Sequence, residues 1–540
     1  MKKLLIYLPI ILLLTLLVSC GGEAESSEPS VPTIDANLVL PIEKPNMKII
    51  DYAKNDTKKK IENKCVDTFG GAISYATYVF MKNGDLYGYG NNEDYNISPY
   101  APMFGNIDKP YKMMSDVKRA VYTGVGTRRC IVLQNNGNLW YWGYAEVTPR
   151  KIADNVKDFH YGSFGLQGYL KNDDTLWSYT TTFDENGISK AENKKILDNV
   201  DRLTEYDNFV ITKDGCLREL SGELIIDDVK LFYGPHPEVA DKNSPAFVIK
   251  KDNTLWGWGN NEGNYLGVND ETKVIKTPVK IMDDVEKIYY ESNVLALKTD
   301  KTLWGWGDNK KGQLGTGDFK PVSTPIKIMD NVLDALIYSN YMYEESDEED
   351  DGDDIEWPKG NDKDYEPLEQ EIYSTYAIKN DGSLYTWGTT YFKEIDTYGD
   401  HFISTPQRIL DNVQSIKSDK YYGDKYIYAL SDKNLLRWEN TGWFSKENGE
   451  LLYNSVEQIL DDVISYESSY EDCNAIKSDN SLWGMGEKKV YKLLNGVRKF
   501  KSTGESYDDP RGLAITKNGA LWLWEKDNKS GLKVYEQPIE

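Results

Sequence analysis

Side chains able to do chemistry are few in this sequence, and they are unevenly placed. His160, His236 and His401 are the only imidazoles in 540 residues, which leaves little for acid–base relays or His-ligated metals. Carboxylates are so abundant that no catalytic pair stands out. Asp283-Asp284 and Asp461-Asp462 recur in step with a repeat, as turn and cap residues do. No Gly-x-Ser-x-Gly elbow, phosphate-cradling Gly-x-x-x-x-Gly-Lys-Ser/Thr or His-Glu-x-x-His is present. The expectation is therefore a chain without catalytic residues, cofactor or metal site.

One stretch breaks the pattern, an acidic insert over residues 342–371. Between 344 and 371 it holds fifteen acidic residues and two lysines, a net −13. An EF-hand register starting at Asp347 would place Glu349, Asp351 and Gly352 correctly, but its twelfth position is Pro358 where a bidentate Glu is needed, so that register fails. Self-repelling charge cannot bury a core, and a solvated loop is one reading of the insert; loose binding of divalent cations by its carboxylates is a second. Another is a docking strip for a basic partner, with Tyr341, Tyr343, Trp357 and Tyr365 as anchors around Glu348, Glu349, Asp350 and Asp351.

The second chemical signal is at the N-terminus. Met1-Lys2-Lys3 precedes an apolar run from Leu4 to Val18, too short for the ~20 residues of a spanning helix and suited to an export signal. It closes in Leu17-Val18-Ser19-Cys20-Gly21, which resembles the bacterial lipobox, in which the Cys is lipidated and becomes the mature N-terminus. Residues 1–19 are thus expected to be a lipoprotein signal peptide, and 20–45 a lipidated end and polar tether. The body of the protein is expected over 46–540. Several acyl chains, palmitate among them, would anchor the chain stably in a membrane of the cell envelope on its extracytoplasmic side. Cys65, Cys130, Cys216 and Cys473 are far apart with no CxxC pair, so free buried thiols are expected.

These signals sit on a repetitive frame. A strand-like motif recurs ten times, Leu-aromatic-x-aromatic in its clearest copies, Leu139-Trp140-Tyr141-Trp142, Leu255-Trp256-Gly257-Trp258, Leu303-Trp304-Gly305-Trp306 and Leu521-Trp522-Leu523-Trp524. Turn residues such as Asn83-Gly84 and Asp381-Gly382 precede the copies and supply the positive φ that tight hairpins require. A second marker keeps pace, as in Asp198-Asn199-Val200, Asp330-Asn331-Val332 and Asp411-Asn412-Val413. Without the insert, residues 66–540 divide into ten units of about 44 residues, the size of a four-stranded propeller blade. The fold class expected is all-β, a β-propeller of about ten blade-sized repeats, either one large ring or a seven-blade ring with extra units. Within Leu303-Trp304-Gly305-Trp306-Gly307, period 2 puts both Trp on one face and both Gly on the other, so the Trp face of one blade is expected to press on the bare Gly face of the next. The ends, Gln537-Pro538-Ile539-Glu540 and residues 60–66, match the two halves of one marker and are expected to complete a shared blade.

The units resemble the regulator of chromosome condensation repeat. The sixth carries the full signature, Leu303-Trp304-Gly305-Trp306-Gly307 followed by Gly312-Gln313-Leu314-Gly315-Thr316-Gly317, and the fifth most of it, ending Tyr265-Leu266-Gly267. The resemblance implies a β-propeller, typically of seven blades. Nucleotide exchange on a small GTPase and chromatin binding, which the resemblance also brings to mind, do not suit an exported chain with 63 basic and 87 acidic residues, a net −24. That charge excludes general nucleic-acid binding. An exported bacterial propeller that inhibits β-lactamases is the closer analogue and implies protein binding through loops.

The functional expectation is a lipid-anchored, monomeric, non-catalytic propeller that binds another protein and touches the membrane through its anchor alone. A glycan-binding or glycan-cleaving propeller is the alternative, and a structural envelope protein the third class. The glycan reading expects open Trp and Tyr side chains near paired carboxylates at the mouth of the ring.

Overall fold

In the computed structural model the described residues are 42–43, 48–51 and 65–537, less the segments 72–75, 82, 93–96, 98–105, 124–128, 144–145, 163–164, 184–188, 205–208, 235–243, 292, 343–369, 395–396, 419–425, 440–442, 448–449, 454–455, 470–471, 487–488, 503–511 and 526–532. Ten antiparallel four-stranded blades follow one another along the chain: residues 65–114, 117–153, 156–197, 200–226, 229–282, 285–329, 332–410, 413–460, 463–494 and 497–537. Blade 6 illustrates the plan, with strands Val285–Tyr290, Asn293–Lys298, Leu303–Gly307 and Val322–Met329. First strands of neighbouring blades touch one another, so they line the axis. The first strand of blade 1 also lies against the second strand of blade 10, which closes a single ten-bladed ring.

The Asn-Val marker is legible as a stitch between blades. In blade 6 the Lys301 carbonyl, in the turn between the second and third strands, accepts from the Val332 N–H that opens blade 7 (2.8 Å). Asn331, just before that valine, sits at φ +59° and turns its own carbonyl to the N–H of Asn380 in blade 7 (2.8 Å). Asn and Asp tolerate this left-handed geometry better than other side chains. The valine buries its side chain, Val332 at 0% exposure, and a bulge follows it, so the pairing shifts between Val332 and Asp334. A bulge there adds twist where the inner strand begins. The same valine N–H bond recurs at Val117, Val156, Val200, Val229, Val285, Val413, Val463 and Val497.

The expected contact between a Trp face and a bare Gly face is corrected in one respect. The Gly side is not left bare for the neighbour. A β-carbon at Gly305 would meet Leu295, Ile328 and Leu314 of its own blade at 2.6–3.1 Å. Leu314 comes from the connection between the third and fourth strands and is fully buried. That same loop then backs onto the next blade, where Trp387 is 1% exposed. The loop is therefore a two-sided plug, filling its own blade and covering its neighbour's indole.

Among the described residues the termini do not share a blade, contrary to expectation; residues 60–64 and 538–540 lie outside them. Blade 10 takes all four strands, ending Lys533–Gln537, from the C-terminal end, and blade 1 takes its first strand, Cys65–Gly71, from the N-terminal side. Each blade already has its full set of local hairpins, so no vacancy remains to be shared. Instead Ile42–Glu43 adds in parallel to the outer strand of blade 8 and Lys48–Asp51 to that of blade 9. The chain thus straps two blade edges before it enters blade 1, and these edges gain partners for their backbone groups. A further lace joins blades 7 and 8: the hairpin Trp443–Glu447 and Glu450–Tyr453, which departs from blade 8, pairs with the third strand of blade 7 through Tyr391↔Trp443.

Candidate protein-binding face

Strand order in each blade sorts all connections onto two ends of the ring. One end carries the connections from fourth strand to next blade, each two residues long, and the short turns between second and third strands. These turns are the ones that the backbone stitches tie together. At the other end open the first-to-second and third-to-fourth connections, which range from the two residues 395–396 to the 27 residues 343–369. One end is a uniform rim of tight turns and the other holds nearly all the length variation.

The acidic insert belongs to the variable end. It joins the first strand of blade 7, Val332–Met342, to the second, Gln370–Lys379. Tyr341 is a strand residue paired with Glu371, and Met342 pairs with Gln370, so the connection proper is 343–369. Tyr343, Glu348, Glu349, Asp350, Asp351, Trp357 and Tyr365 lie outside the described residues, as do Cys20 and the signal segment. Among described residues the variable end also bears the third-to-fourth loop of blade 6, residues 308–321, held rigidly. Asn309 donates to the Asp318 carbonyl (2.9 Å) and accepts from the Leu314 N–H (2.9 Å). The Gln313 carbonyl accepts from Thr375 and from the Trp387 indole, both at 2.9 Å. In blade 5, Asn261 and Leu266 repeat this arrangement at 3.0 Å.

The repeat aromatics divide into two sets. Where the last position of the motif is aromatic and its side chain is described, that ring is buried, with Trp142, Trp306, Trp387 and Trp438 at 0–2% exposure. The first is half-buried at the turn end, and its environment recurs. Asp300 accepts from the Thr302 hydroxyl (2.6 Å) and N–H (3.0 Å), and Thr302 accepts from the Trp304 indole N–H (2.9 Å) while Lys298 lies over the ring at 5.5 Å. Asp173-Thr175-Trp177, Asp252-Thr254-Trp256 and Asp479-Ser481-Trp483 repeat the relay, each with a lysine over the ring. The Thr302 hydroxyl bond above all holds the Asp300 carboxyl below its usual range, and Thr175 and Thr254 do the same for Asp173 and Asp252. None of the Trp side chains that the structure describes is exposed, so these repeat indoles serve as scaffold.

Two polar constellations were not among the sequence expectations: one joins the first strands of blades 6 and 7, and the other lies within blade 8. Asp334 of blade 7 accepts from Lys287 (2.8 Å) and from the Tyr289 hydroxyl of blade 6. Burial and this carboxylate together raise the Tyr289 pKa, whereas the two donors outweigh burial and lower that of Asp334. Arg437 of blade 8 takes the place that Gly305 holds in blade 6. Its side chain is 2% exposed, donates through Nε and Nη2 to one Glu457 oxygen (3.1 and 2.6 Å), and lies 4.4 Å above the Tyr426 ring. Arg437 stands at the Gly305 position of the repeat motif, but its partners, like those of Asp334, are revealed only by spatial proximity. Cys130, Cys216 and Cys473 are buried and outside any disulfide, and burial pushes the Cys130 thiol up to about 12.

No curated protein matches the chain. Solved structures similar to it include Prp20p from Saccharomyces cerevisiae, described with its binding to Gsp1p and histones (TM-score 0.29, 15% identity, covering 70% of this chain and 86% of that one). The complex of Kap60 with yeast RCC1 (Prp20) gives 0.28 at 14% identity, covering 69% and 70%. Human WBSCR16 gives 0.29 at 12%, covering 75% and 85%. Residues 300–334, the plug-bearing part of blade 6 through to the first residues of blade 7, match the Regulator of chromosome condensation (RCC1) repeat family. The chain therefore carries the regulator of chromosome condensation repeat, within a ten-bladed β-propeller.

Proposed function

We propose that this chain is a lipid-anchored, extracytoplasmic propeller that binds another protein, without catalysis, through the end of the ring where the long connections open. The observation that carries this reading is the asymmetry of the two ends: one is a rim of two-residue and short hairpin turns, and the other gathers connections of up to 27 residues. Variable loops on a rigid scaffold are the usual place for recognition. The insert adds a strong negative field at that end, suited to a basic partner. Export and anchoring rest on the N-terminal sequence, with Cys20 as the lipidated residue, and the protein works as a monomer.

Affinity capture from solubilised cell envelopes tests the proposal, with the full chain and a variant in which 343–369 is replaced by a short Gly/Ser turn. The expected result is a protein retained at low salt, released at high salt and lost with the insert. Salt-insensitive capture that survives the replacement removes the insert's role. A bait that is inert in both forms removes protein binding and favours a structural envelope protein. Labelling with a palmitate analogue, lost in Cys20→Ala, tests the anchor separately.

A further inference from the structure

Between blades 3 and 4 no two-sided plug stands among the described residues, and a pocket takes its place. Its cavity volume is about 30 Å3, widening to about 350 Å3 with its open mouth, and it is lined by Gly168, Ser178 and Ile196 of blade 3 and by Leu203, Val210 and Leu220 of blade 4. Comparison with blade 6 explains it position by position. Strand pairing aligns Gly168↔Ser178 with Leu295↔Gly305, so blade 3 has no side chain where blade 6 has Leu295. Leu220 stands where blade 6 has Trp306, two residues beyond the arginine or tryptophan of the motif. Blade 4 is also the smallest, with third and fourth strands of three residues each. Blade 3 has no Gly-Gln-Leu-Gly connection to supply a plug. The buried cluster at this seam has four residues, Leu170, Leu176, Val200 and Val210, while Ile196, Leu203 and Leu220 remain half-exposed.

In blades 5 and 6 the same place is occupied by Leu266 and Leu314, each fully buried and each followed by a glycine that lets the loop back onto the next indole. The fold itself therefore records what fits here. We infer that the blade 3–4 pocket is a recognition site for one leucine-sized branched side chain, presented by an extended Leu-Gly segment of a protein partner. Such a side chain would enter from the variable end, as Leu314 does, and bury its methyls against Ile196, Leu203 and Leu220. This site rests on the protein-binding reading above and gives it a second, apolar contact, separate from the acidic insert.

The probe is a synthetic peptide copying residues 308–317 of this chain, Asp-Asn-Lys-Lys-Gly-Gln-Leu-Gly-Thr-Gly, with a Leu314→Ala copy as control. Ligand-observed saturation-transfer NMR with the full chain should show transfer to the leucine methyls and an affinity about tenfold or more above that of the alanine peptide, the margin expected for burying one leucine. Leu220→Trp restores the bulk that other blades carry and should abolish transfer without lowering the thermal midpoint. Ile196→Phe is the second filling variant, in case Leu220→Trp fails to fold. Equal binding of both peptides, transfer that survives both fillings, or no transfer from either peptide overturns the proposal. Insert-dependent, salt-sensitive capture is read in a separate assay, so loss of the pocket leaves the wider reading standing, and an inert bait there does not alter the peptide result.

Discussion

The carbonyl of Gln313 in blade 6 accepts a hydrogen bond from the indole N–H of Trp387 in blade 7, at 2.9 Å, and 74 residues separate the two. This bond joins the variable loop of one blade to the core of the next. Next to it, Gly315 at φ +69° lets the loop backbone rest on the ring, and a β-carbon there would stand 3.0 Å from it. Leu314→Ala should cost about 2–5 kcal/mol, as a fully buried leucine deletion does. Gly315→Ala should be destabilising too, through an unfavourable φ and the close indole contact. Chemical denaturation of both variants checks this, and a Gly315→Ala variant as stable as the parent would mean the loop is not seated on Trp387.

Removal of the strap is a second test. Ile42–Glu43 and Lys48–Asp51 pair with the outer strands of blades 8 and 9, so a chain beginning at residue 52 bares two edges. Truncation should lower the thermal midpoint and promote self-association, read by light scattering. A chain that begins at 46 keeps only the second contact and should fall between the two. Equal midpoints for all three would show that the strap does not support the ring.

Acid should weaken the turn end first. Asp173, Asp252, Asp300 and Asp381 each accept from a Thr or Ser hydroxyl two residues on, and these bonds lower their carboxyl pKa values. A carboxyl lowered on folding stabilises above its unfolded pKa of about 4, and that contribution fades as pH falls through the folded value. Thermal midpoints should therefore be flat near neutrality and decline below about pH 4. Thr302→Val keeps the shape but removes the hydroxyl, and should shrink the acid-dependent part of the decline. An unchanged pH profile in that variant would contradict the relay.

Legibility tracked sequence distance. Val332 and Trp306 were readable because turn chemistry and period-2 alternation act over a few residues and then repeat ten times. Ile42↔Val456 pairs segments more than 400 residues apart, in parallel and without a motif, so nothing local announces it. The plug was half-legible: Gly312-Gln313-Leu314-Gly315 stood out as a signature, but its two-sided role depends on Gly305 and Trp387 meeting it in space. The expected docking anchors follow the same logic. Tyr341 extends a strand by alternating with its neighbours, whereas the acidic run beyond it has no periodicity from which a position could be argued.

Arg437 offers the sharpest test of how a blade tolerates loss of its glycine. Where blade 6 needs Gly305 to admit Leu314, blade 8 buries a guanidinium against Glu457, the Gly486 carbonyl at 3.2 Å and the Tyr426 ring. Glu457 keeps 36% of its side chain exposed, so the pair is dry on one side and wet on the other. Removing the carboxylate by Glu457→Gln takes away the charge that offsets the buried cation and should cost about 1–3 kcal/mol, since solvent screens the exposed side of the pair. Replacing the cation as well, in the double variant Arg437→Met with Glu457→Gln, should recover most of that loss, because a methionine fills the space without a charge to satisfy. Denaturation midpoints of the three proteins decide the point. If the double variant is no more stable than Glu457→Gln alone, the guanidinium's packing on Tyr426, and not its charge, is what blade 8 depends on.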